Sequence, residues 1–287
     1  MNTHPISIDF KPKIEEIRRR YDHCSASHSF NSLYLWQQDM ALRVYLEESS
    51  FIVQCGHWGD NVWFFPCGSR EDVVRLVNLV SNEGEPVRFL YLREEDAALL
   101  QDAFPGRFQI RPAPDSSEYL FDRFDYVNVP GKKGESIRYA INHLKKNHVL
   151  SVSPFSSENI ETAGKILRGW TPHTTSSHYS TDVATADLLT AHYDALGLTG
   201  IIVSMDQVAS AVVVGFPLNE YMFDIAFSKG TDRITGLLHF ARRAFVDSLP
   251  EQFTVINGEE DLGIPGLRQA KLLEHPMGML EMYEAYG

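Results

Sequence analysis

Cysteine, long apolar segments and positive charge are all scarce in this sequence, and each shortage excludes a class of protein. The 287 residues include only 3 cysteines, and no two of them form a Cys-x-x-Cys pair, so a disulfide framework is not expected. The most apolar stretch, residues 208–216, is much shorter than the ~20 residues that span a bilayer. The first residues lack the basic and apolar regions of a secretory signal. The 11 histidines show no metal-ligand spacing. We therefore expect a cytoplasmic protein without a membrane span or a metal site.

The charge balance disfavours general binding to nucleic acid but leaves one local exception. The chain has 26 basic and 38 acidic residues, a net charge of −12, which repels phosphate backbones. Between residues 132 and 146, however, one acidic residue stands among five basic ones, Lys132, Lys133, Arg138, Lys145 and Lys146. This cluster predicts either a contact with a few phosphates or an ordinary solvated helix face.

Hydrophobic periodicity predicts the same order of elements twice along the chain. In the first part it predicts helices over residues 14–21, 32–46, 70–81 and 94–103, and strands over 51–53, 62–65 and 87–92. In the second part it predicts helices over 135–147, 157–167, 182–196, from about 237 and from 265, and strands over 119–121, 200–204, 208–215, 221–227 and 253–256. The proline-rich stretch 111–117 has the composition of a linker.

This order, helices followed by an antiparallel meander, a polar loop, a helix, a strand and a helix, is typical of the GNAT acyltransferase fold. We therefore predict an α/β (α+β) protein of two tandem GNAT-like domains with mixed, largely antiparallel sheets. The predicted domains are residues 1–115, a non-catalytic unit, and residues 116–287, which carry the active site. Element order by itself does not fix a function.

One candidate binding site is the polar loop over residues 228–236, between a predicted strand and a predicted helix. Backbone amides at a helix N-terminus favour an anion, and Lys229 and Arg233 can add charge-assisted contacts. Gly236 would let a phosphate approach the backbone closely. The alternative is an ordinary loop in which Thr235 caps the helix.

A second candidate site follows the last predicted strand of the second part. Three carboxylates occur in a row, Glu259, Glu260 and Asp261, just after Asn257. A carboxylate at this place can act as the general base for an attacking amine or hydroxyl. The alternative is that the acids pair with the two cations that follow on one helix face and fix the loop, Arg268 and Lys271.

The end of the chain resembles a bacterial family that shares the C-terminal domain of the phosphatidylglycerol lysyltransferases. The resemblance rests on residues 261–272, with the pattern DLGI-x-GLR-x-AKL, on His275-Pro276 and on Tyr283. Upstream segments at 30–36, 64–68 and the basic helix resemble the same family. The resemblance implies two tandem GNAT-like domains and transfer of an amino acid from aminoacyl-tRNA. Departures occur at Gly258, where the family has arginine, and at residues 226–227.

Together these features predict an acyltransferase that moves an aminoacyl group from aminoacyl-tRNA to a soluble amine or hydroxyl acceptor. Arg138 and Lys145 would hold the acceptor stem of the tRNA, and Tyr283 is the candidate acid by position. A backbone amide within 224–227 would stabilise the oxyanion. No permanently bound cofactor is expected, since the donor is a co-substrate. Two alternatives stay open: an acetyl-CoA-dependent N-acetyltransferase and a non-catalytic GNAT-fold binding protein.

Overall fold

The structure is a computed structural model that describes residues 1–81, 86–169, 183–231 and 234–287. In chain order the first elements are α1 (Lys11–Arg20), α2 (Phe30–Trp36), β1 (Leu42–Leu46), β2 (Phe51–Cys55), β3 (Val62–Cys67), α3 (Arg70–Ser81), β4 (Arg88–Leu92), α4 (Glu94–Ala103) and β5 (Gln109–Pro112). They are followed by β6 (Glu118–Asp122), α5 (Arg123–Asn128), α6 (Glu135–Asn147), β7 (Leu150–Pro154), α7 (Ile160–Gly169), α8 (Val183–Leu196), β8 (Thr199–Met205), β9 (Val208–Pro217), β10 (Met222–Gly230), α9 (Leu237–Ser248), β11 (Val255–Asn257), α10 (Pro265–Leu273), β12 (Gly278–Leu280) and β13 (Tyr283–Tyr286).

The chain divides into two compact units whose bounds differ from those of the predicted domains. The first unit combines Met1–Tyr119 with two later segments, Glu260–Arg268 and Met279–Gly287. The second unit consists of Leu120–Glu259 and Gln269–Gly278. The division of the sequence into domains at residues 115 and 116 stays a prediction.

The sheet of the first unit is completed by the last residues of the chain. Its strand order is β1-β2-β3-β4-β13-β5. β13 lies between β4 and β5 and is antiparallel to both, with Tyr283 opposite Leu92 on one side and Pro112 on the other. β3 and β4 are parallel, and α3 covers them with Val73, Leu76 and the other apolar residues of its buried face.

The prediction of one long helix over residues 32–46 is wrong. α2 ends at Trp36, and a turn leads into β1, which pairs with β2 in antiparallel register from Leu42 with Cys55 to Leu46 with Phe51. The alternating side chains of β1 bury Leu42 and Val44, and Arg43 between them is exposed. Pairing with a buried strand therefore outweighs the helical spacing of the leucines.

A polar cluster with two buried histidines follows α1 in the first unit. The rings of His23 and His28 have centroids 4.1 Å apart, and the Ser25 hydroxyl lies 3.2 Å from Nδ1 of His23. Nε2 of His28 donates to the Phe65 carbonyl at 2.8 Å. Burial, followed by the nearby positive charges, lowers the pKa of His28 to about 3 although the Phe65 carbonyl opposes this shift. Burial likewise lowers the pKa of His23 well below its ordinary value, so both histidines are held neutral.

The second unit contains the predicted meander. β8 pairs with β9 and β9 with β10, both antiparallel, in a sheet of order β12-β6-β11-β10-β9-β8-β7. Asp206 and Gln207 form the β8–β9 turn with positive φ angles of 51° and 70°, as a two-residue hairpin turn requires. α9 packs on β9 and β10 through Leu237, Ala241 and Phe245, and α6 lies beside α9. The predicted antiparallel meander with its covering helix is confirmed.

Candidate active-site region

The terminal motif forms a closed hydrogen-bonded cluster around Asp261 in the first unit. Both carboxylate oxygens are buried and each accepts two hydrogen bonds. Oδ2 accepts from the Tyr119 hydroxyl at 2.6 Å and from Nε of Arg268 at 2.7 Å. Oδ1 accepts from the Gly263 amide at 2.9 Å and from Nη2 of Arg268 at 2.8 Å. Arg268 also donates to Asp115 at 2.6 Å, so the motif is fastened to the chain just before β6.

The electrostatics of this cluster keep Asp261 ionised. Burial opposes the charge, but hydrogen bonds from Arg268, Tyr119 and the Gly263 amide hold the pKa of Asp261 below its ordinary value. Burial and the bond to Asp261 raise the pKa of the Tyr119 phenol. A carboxylate with all four lone pairs occupied is a poor proton acceptor. For Asp261 the geometry therefore favours the loop-fixing alternative, although the catalytic assignment of the three acids stays a prediction.

The loop favours glycine at position 263 for two structural reasons. Its φ is +69°, and a Cβ at this position would lie 2.7 Å from Oδ2 of Asp115. The preceding Leu262 also has a left-handed φ of 55°, and its amide donates to the Asp115 carbonyl at 3.0 Å. The DLG part of the motif thus makes a tight turn that presents the amide of the glycine to Asp261.

The other predicted acids follow β11 in the sequence. Asn257 is buried at the end of β11, and its Oδ1 accepts from the Glu259 amide at 2.7 Å, which closes an Asx turn. Glu259 has a left-handed φ of 56° and is half-buried, and so is Glu260. Lys271 donates to the Gly258 carbonyl, which holds this turn against α10 within the second unit. Glu259 belongs to the second unit, whereas Glu260 belongs to the first.

Tyr283, the predicted acid, lies in β13 of the first unit. Its hydroxyl donates to Glu281 at 3.4 Å, and burial together with Glu281 raises the pKa of the phenol. Within the same unit, Asp261 and Arg268 bond to other partners. The hydrogen bonds around Asp261 and Arg268 therefore do not include Tyr283.

The polar loop after β10 leads into the glycine-capped N-terminus of α9. Gly236 is the N-cap with φ 89°, and a Cβ there would lie 2.4 Å from the Ala140 carbonyl oxygen of α6. Glycine is thus required at position 236 for the close crossing of α6 and α9. The sequence did not reveal this structural role. Lys229 is half-buried in β10, opposite Val212. Arg233 lies outside the described residues, and binding of an anion at this loop stays a prediction.

β10 and β11 are paired over a short distance only. Their parallel register covers three pairs, from Met222 with Val255 to Asp224 with Asn257. Immediately afterwards the register between β10 and β9 shifts, between Asp224 and Phe227. β10 continues to Gly230, and in the described part of the chain this portion has a strand neighbour on the β9 side alone. The irregular segment coincides with the predicted oxyanion position at 224–227.

The basic residues of the α6 region have different structural roles. Arg138 donates to the Val129 carbonyl and so fixes the turn that precedes α6. Lys145 is exposed, with its Nζ 5.3 Å from the ring centroid of Phe240 on α9. Three more lysines are exposed and available to an anionic partner, namely Lys132, Lys133 and Lys146.

The second unit contains a buried ion-pair network that the sequence analysis did not predict. Glu274 follows α10 and contacts three residues of α9: Nδ1 of His239 at 2.7 Å, an Arg243 nitrogen at 2.6 Å and an Arg242 nitrogen at 3.5 Å. Burial opposes ionisation, but His239 and the two arginines lower the pKa of Glu274 to about 2. The signal was present as three basic residues on one face of α9, with spacing i, i+3, i+4, and a single acid within 266–280.

The meander, the shifted register of β10 and the glycine-led helix define the second unit as a GNAT-like acyltransferase fold. The chain belongs to the family described as phosphatidylglycerol lysyltransferase, C-terminal, whose profile matches residues 18–286. Both the predicted fold class and the predicted family are thereby confirmed. Family and fold together support an acyltransferase.

Solved structures show the same fold over the whole chain. A conserved protein of unknown function from Bacteroides thetaiotaomicron VPI-5482 is 23% identical, with TM-score 0.89 over 100% of this chain and 99% of that chain. The C-terminal domain of a putative lysylphosphatidylglycerol synthetase from Agrobacterium fabrum is 15% identical, with TM-score 0.67 over 98% and 92%. A tandem GNAT protein from the clavulanic acid biosynthesis pathway is 8% identical, with TM-score 0.50 over 99% and 98%. At these identities the likeness establishes the fold, which supports the tandem GNAT description.

Curated relatives, membrane-spanning helices and metal-ligand clusters give three negative findings. Comparison with curated protein sequences gives no match. Among the described residues, no helix combines the length and the apolar character needed to cross a membrane. The same residues contain no group of three or more His, Cys, Asp or Glu side chains that could hold a metal ion.

Proposed function

We propose that this chain is a cytoplasmic aminoacyltransferase that moves an amino acid from aminoacyl-tRNA to a small soluble amine or hydroxyl acceptor. The observation that carries the proposal is the crossing of α6 and α9 in the second unit. At this crossing the backbone of Ala140 meets Gly236, and one helical turn further along each helix Lys145 lies over Phe240. A basic helix thus runs directly beside the helix N-terminus that GNAT folds offer to an anion.

Electrostatics favours a phosphate-rich donor at this place. The N-terminus of α9 carries the positive end of a helix dipole, and exposed lysines of the α6 region add net charges nearby. The chain as a whole has a charge of −12, so only this region would attract an acceptor stem. We therefore expect weak binding through a few phosphates, with a strong dependence on salt.

The proposed chemistry is a direct transfer without a covalent enzyme intermediate. The acceptor nitrogen or oxygen attacks the ester carbonyl carbon of the donor, and the bond from this carbon to the ribose oxygen of the tRNA breaks. A base removes the acceptor proton, and an acid returns a proton to the ribose oxygen that leaves. A backbone amide of β10 within 224–227 donates to the oxyanion between these events.

Among the acids, Glu259 and Glu260 are the proposed bases. Asp261 holds the turn through its four hydrogen bonds and so acts as a positioning residue. Asn257 and Lys271 stabilise the turn that carries Glu259. Tyr283→Phe tests the proposed acid: a lower kcat with an unchanged KM is expected, and an unchanged kcat would remove it from the mechanism.

Filter binding of aminoacyl-tRNA at low and moderate salt tests the donor. Lys145→Glu is expected to weaken binding and to reduce the slope of log K against log salt by about 1. Lys165→Glu is the matched control, because Lys165 is an exposed lysine on α7 of the same unit. Absence of saturable binding by the unmodified chain, or equal effects of the two variants, would contradict the proposal.

A second candidate, an acetyl-CoA-dependent N-acetyltransferase, is favoured by the open portion of β10. An extended pantetheine arm can hydrogen-bond along a strand that has lost its neighbour, with its pyrophosphate at the N-terminus of α9. Lys229 and Gly236 would serve this donor equally well. A rise in melting temperature with acetyl-CoA, in the absence of tRNA binding, would select this candidate.

A further inference from the structure

The sheet ends of this protein differ in how they are protected against pairing with another chain. Exposed sheet edges are normally blunted by charge, proline, shortness or a covering segment. β1 carries the exposed Arg43 and is bridged by His4. β5 contains Arg111 and ends in Pro112, and β12 has only 3 residues. Three of the four edge strands in the described part of the chain therefore follow the usual rule.

β7 is the exception among these edge strands. It pairs with β8 on one side and is the last strand of its sheet in the described ranges. Four of its five residues are exposed, and Val152 is 42% exposed. No charged residue occurs between 149 and 157, and the neighbouring Val149 and Val208 are 74% and 65% exposed. The edge thus carries no charge and alternates apolar residues with serines, on a chain of net charge −12.

The hydrogen bonds show which main-chain groups of β7 face outward. The Val149 carbonyl accepts from the Asp206 amide at 2.8 Å, and the Phe155 amide donates to the Gly200 carbonyl at 2.9 Å, both on the β8 side. Because main-chain groups of successive residues point to opposite sides, those of Leu150 and Val152 face the open edge. Pro154 has no amide to offer, and its carbonyl already accepts from Asn159 at 2.8 Å.

We propose that β7 is the interface of a homodimer in which two copies of this strand pair antiparallel about a two-fold axis at Ser151. In this register Leu150 lies opposite Val152 of the second copy, and each pair exchanges two hydrogen bonds. All outward groups of Leu150 and Val152 are satisfied, and Pro154 lies outside the bonded pairs. Ser151 then lies opposite itself.

A second copy fits this edge better than another partner because the strand is self-complementary. Antiparallel pairing with itself joins apolar side chains, Leu150 with Val152, on one face of the extended sheet. The absence of charge along the strand avoids the repulsion that two chains of charge −12 would otherwise meet at close contact. The surface is isologous, as two-fold dimers require. This inference is independent of the proposed function.

Sedimentation velocity over about a hundred-fold range of concentration tests the dimer. The unmodified chain is expected to dimerise with rising concentration, and hydrogen exchange of the Leu150 and Val152 amides is expected to slow in parallel. Ser151→Lys and Ser151→Glu each place like charges opposite one another across the interface, so each is expected to raise the Kd of the dimer about tenfold or more. Mixing the two variants is expected to restore dimerisation.

The mixing step distinguishes this register from other interfaces, because only position 151 faces itself. Ser136 provides the matched control, since it is an exposed serine on α6 of the same unit. Ser136→Lys and Ser136→Glu are expected to leave the Kd unchanged, separately and mixed. A chain that stays monomeric at every concentration, or a dimer that neither Ser151 variant weakens, would overturn the proposal.

Discussion

Replacing Gly236 by alanine perturbs the close backbone approach of α9 to α6 in the second unit. The left-handed φ of 89° costs an alanine about 1–2 kcal/mol. Its Cβ would lie 2.4 Å from the Ala140 carbonyl oxygen and 2.7 Å from the carbonyl carbon, so α6 and α9 must separate. Such overpacking costs about 1–3 kcal/mol. We therefore expect Gly236→Ala to lower the free energy of unfolding by about 2–5 kcal/mol.

Urea unfolding measures this loss of unfolding free energy. Hydrogen exchange of the α6 and α9 amides is the second measurement. Gly169→Ala is the matched control, because Gly169 is the last residue of α7 and no atom lies within 4 Å of its Cβ position. Alanine there should be neutral or stabilise the helix by about 0.5–1 kcal/mol. If both variants unfold at the same free energy as the unmodified chain, the close crossing of α6 and α9 is wrong.

The remaining predictions concern buried ionisable groups. Asp261→Asn places amide hydrogens against the Tyr119 hydroxyl and other donors, so thermal unfolding should show a loss of about 1–3 kcal/mol; an unchanged Tm would refute the four-bond cluster. Glu274→Gln leaves Arg243 without its buried counter-charge and should cost about 3–5 kcal/mol in urea unfolding, with a variant as stable as the parent counting against the network. In the parent chain the pKa of Glu274 is lowered from 4.5 to about 2, so the ionised carboxylate stabilises the fold above pH 4.5. This contribution should disappear as the pH falls towards 2. His28, with a folded pKa of about 3, binds a proton more readily when unfolded, so stability should fall below pH 6.5 by up to about 1.4 kcal/mol per pH unit. His28→Gln should flatten this slope, and an equally steep slope in the variant would contradict the assignment.

Local signals were sufficient for several elements of the fold. The helices over 70–81, 94–103 and 135–147 have the predicted bounds, because apolar periodicity and stop signals lie within each segment. The meander strands were found because the turn at Asp206 and Gln207 separates two strongly apolar runs. The segment 42–46 was assigned wrongly, because its state depends on β2 as a partner. The short strands β5, β7, β12 and β13 were not predicted for the same reason.

The candidate site was only partly readable from the sequence. The family motif marked Asp261 and Arg268, and these two form an ion pair. Their other partners came from far away in the chain: Tyr119 is 142 residues before Asp261, and Asp115 is 153 residues before Arg268. The roles of Glu259, Glu260 and Tyr283 stay predictions that the proposed kinetic tests address.

By itself, the sequence determined the kinds of elements, their order and the family, because each depends on spacing within a short segment or on a contiguous motif. Tertiary structure decided that β13 completes the sheet of the first unit, with Tyr283 in it. It also decided that Gly236 serves a helix crossing and that Glu274 pairs with α9. These outcomes depend on which distant segments of the chain come into contact. The role of a buried charge or of a glycine without a Cβ is set by the atoms that surround it.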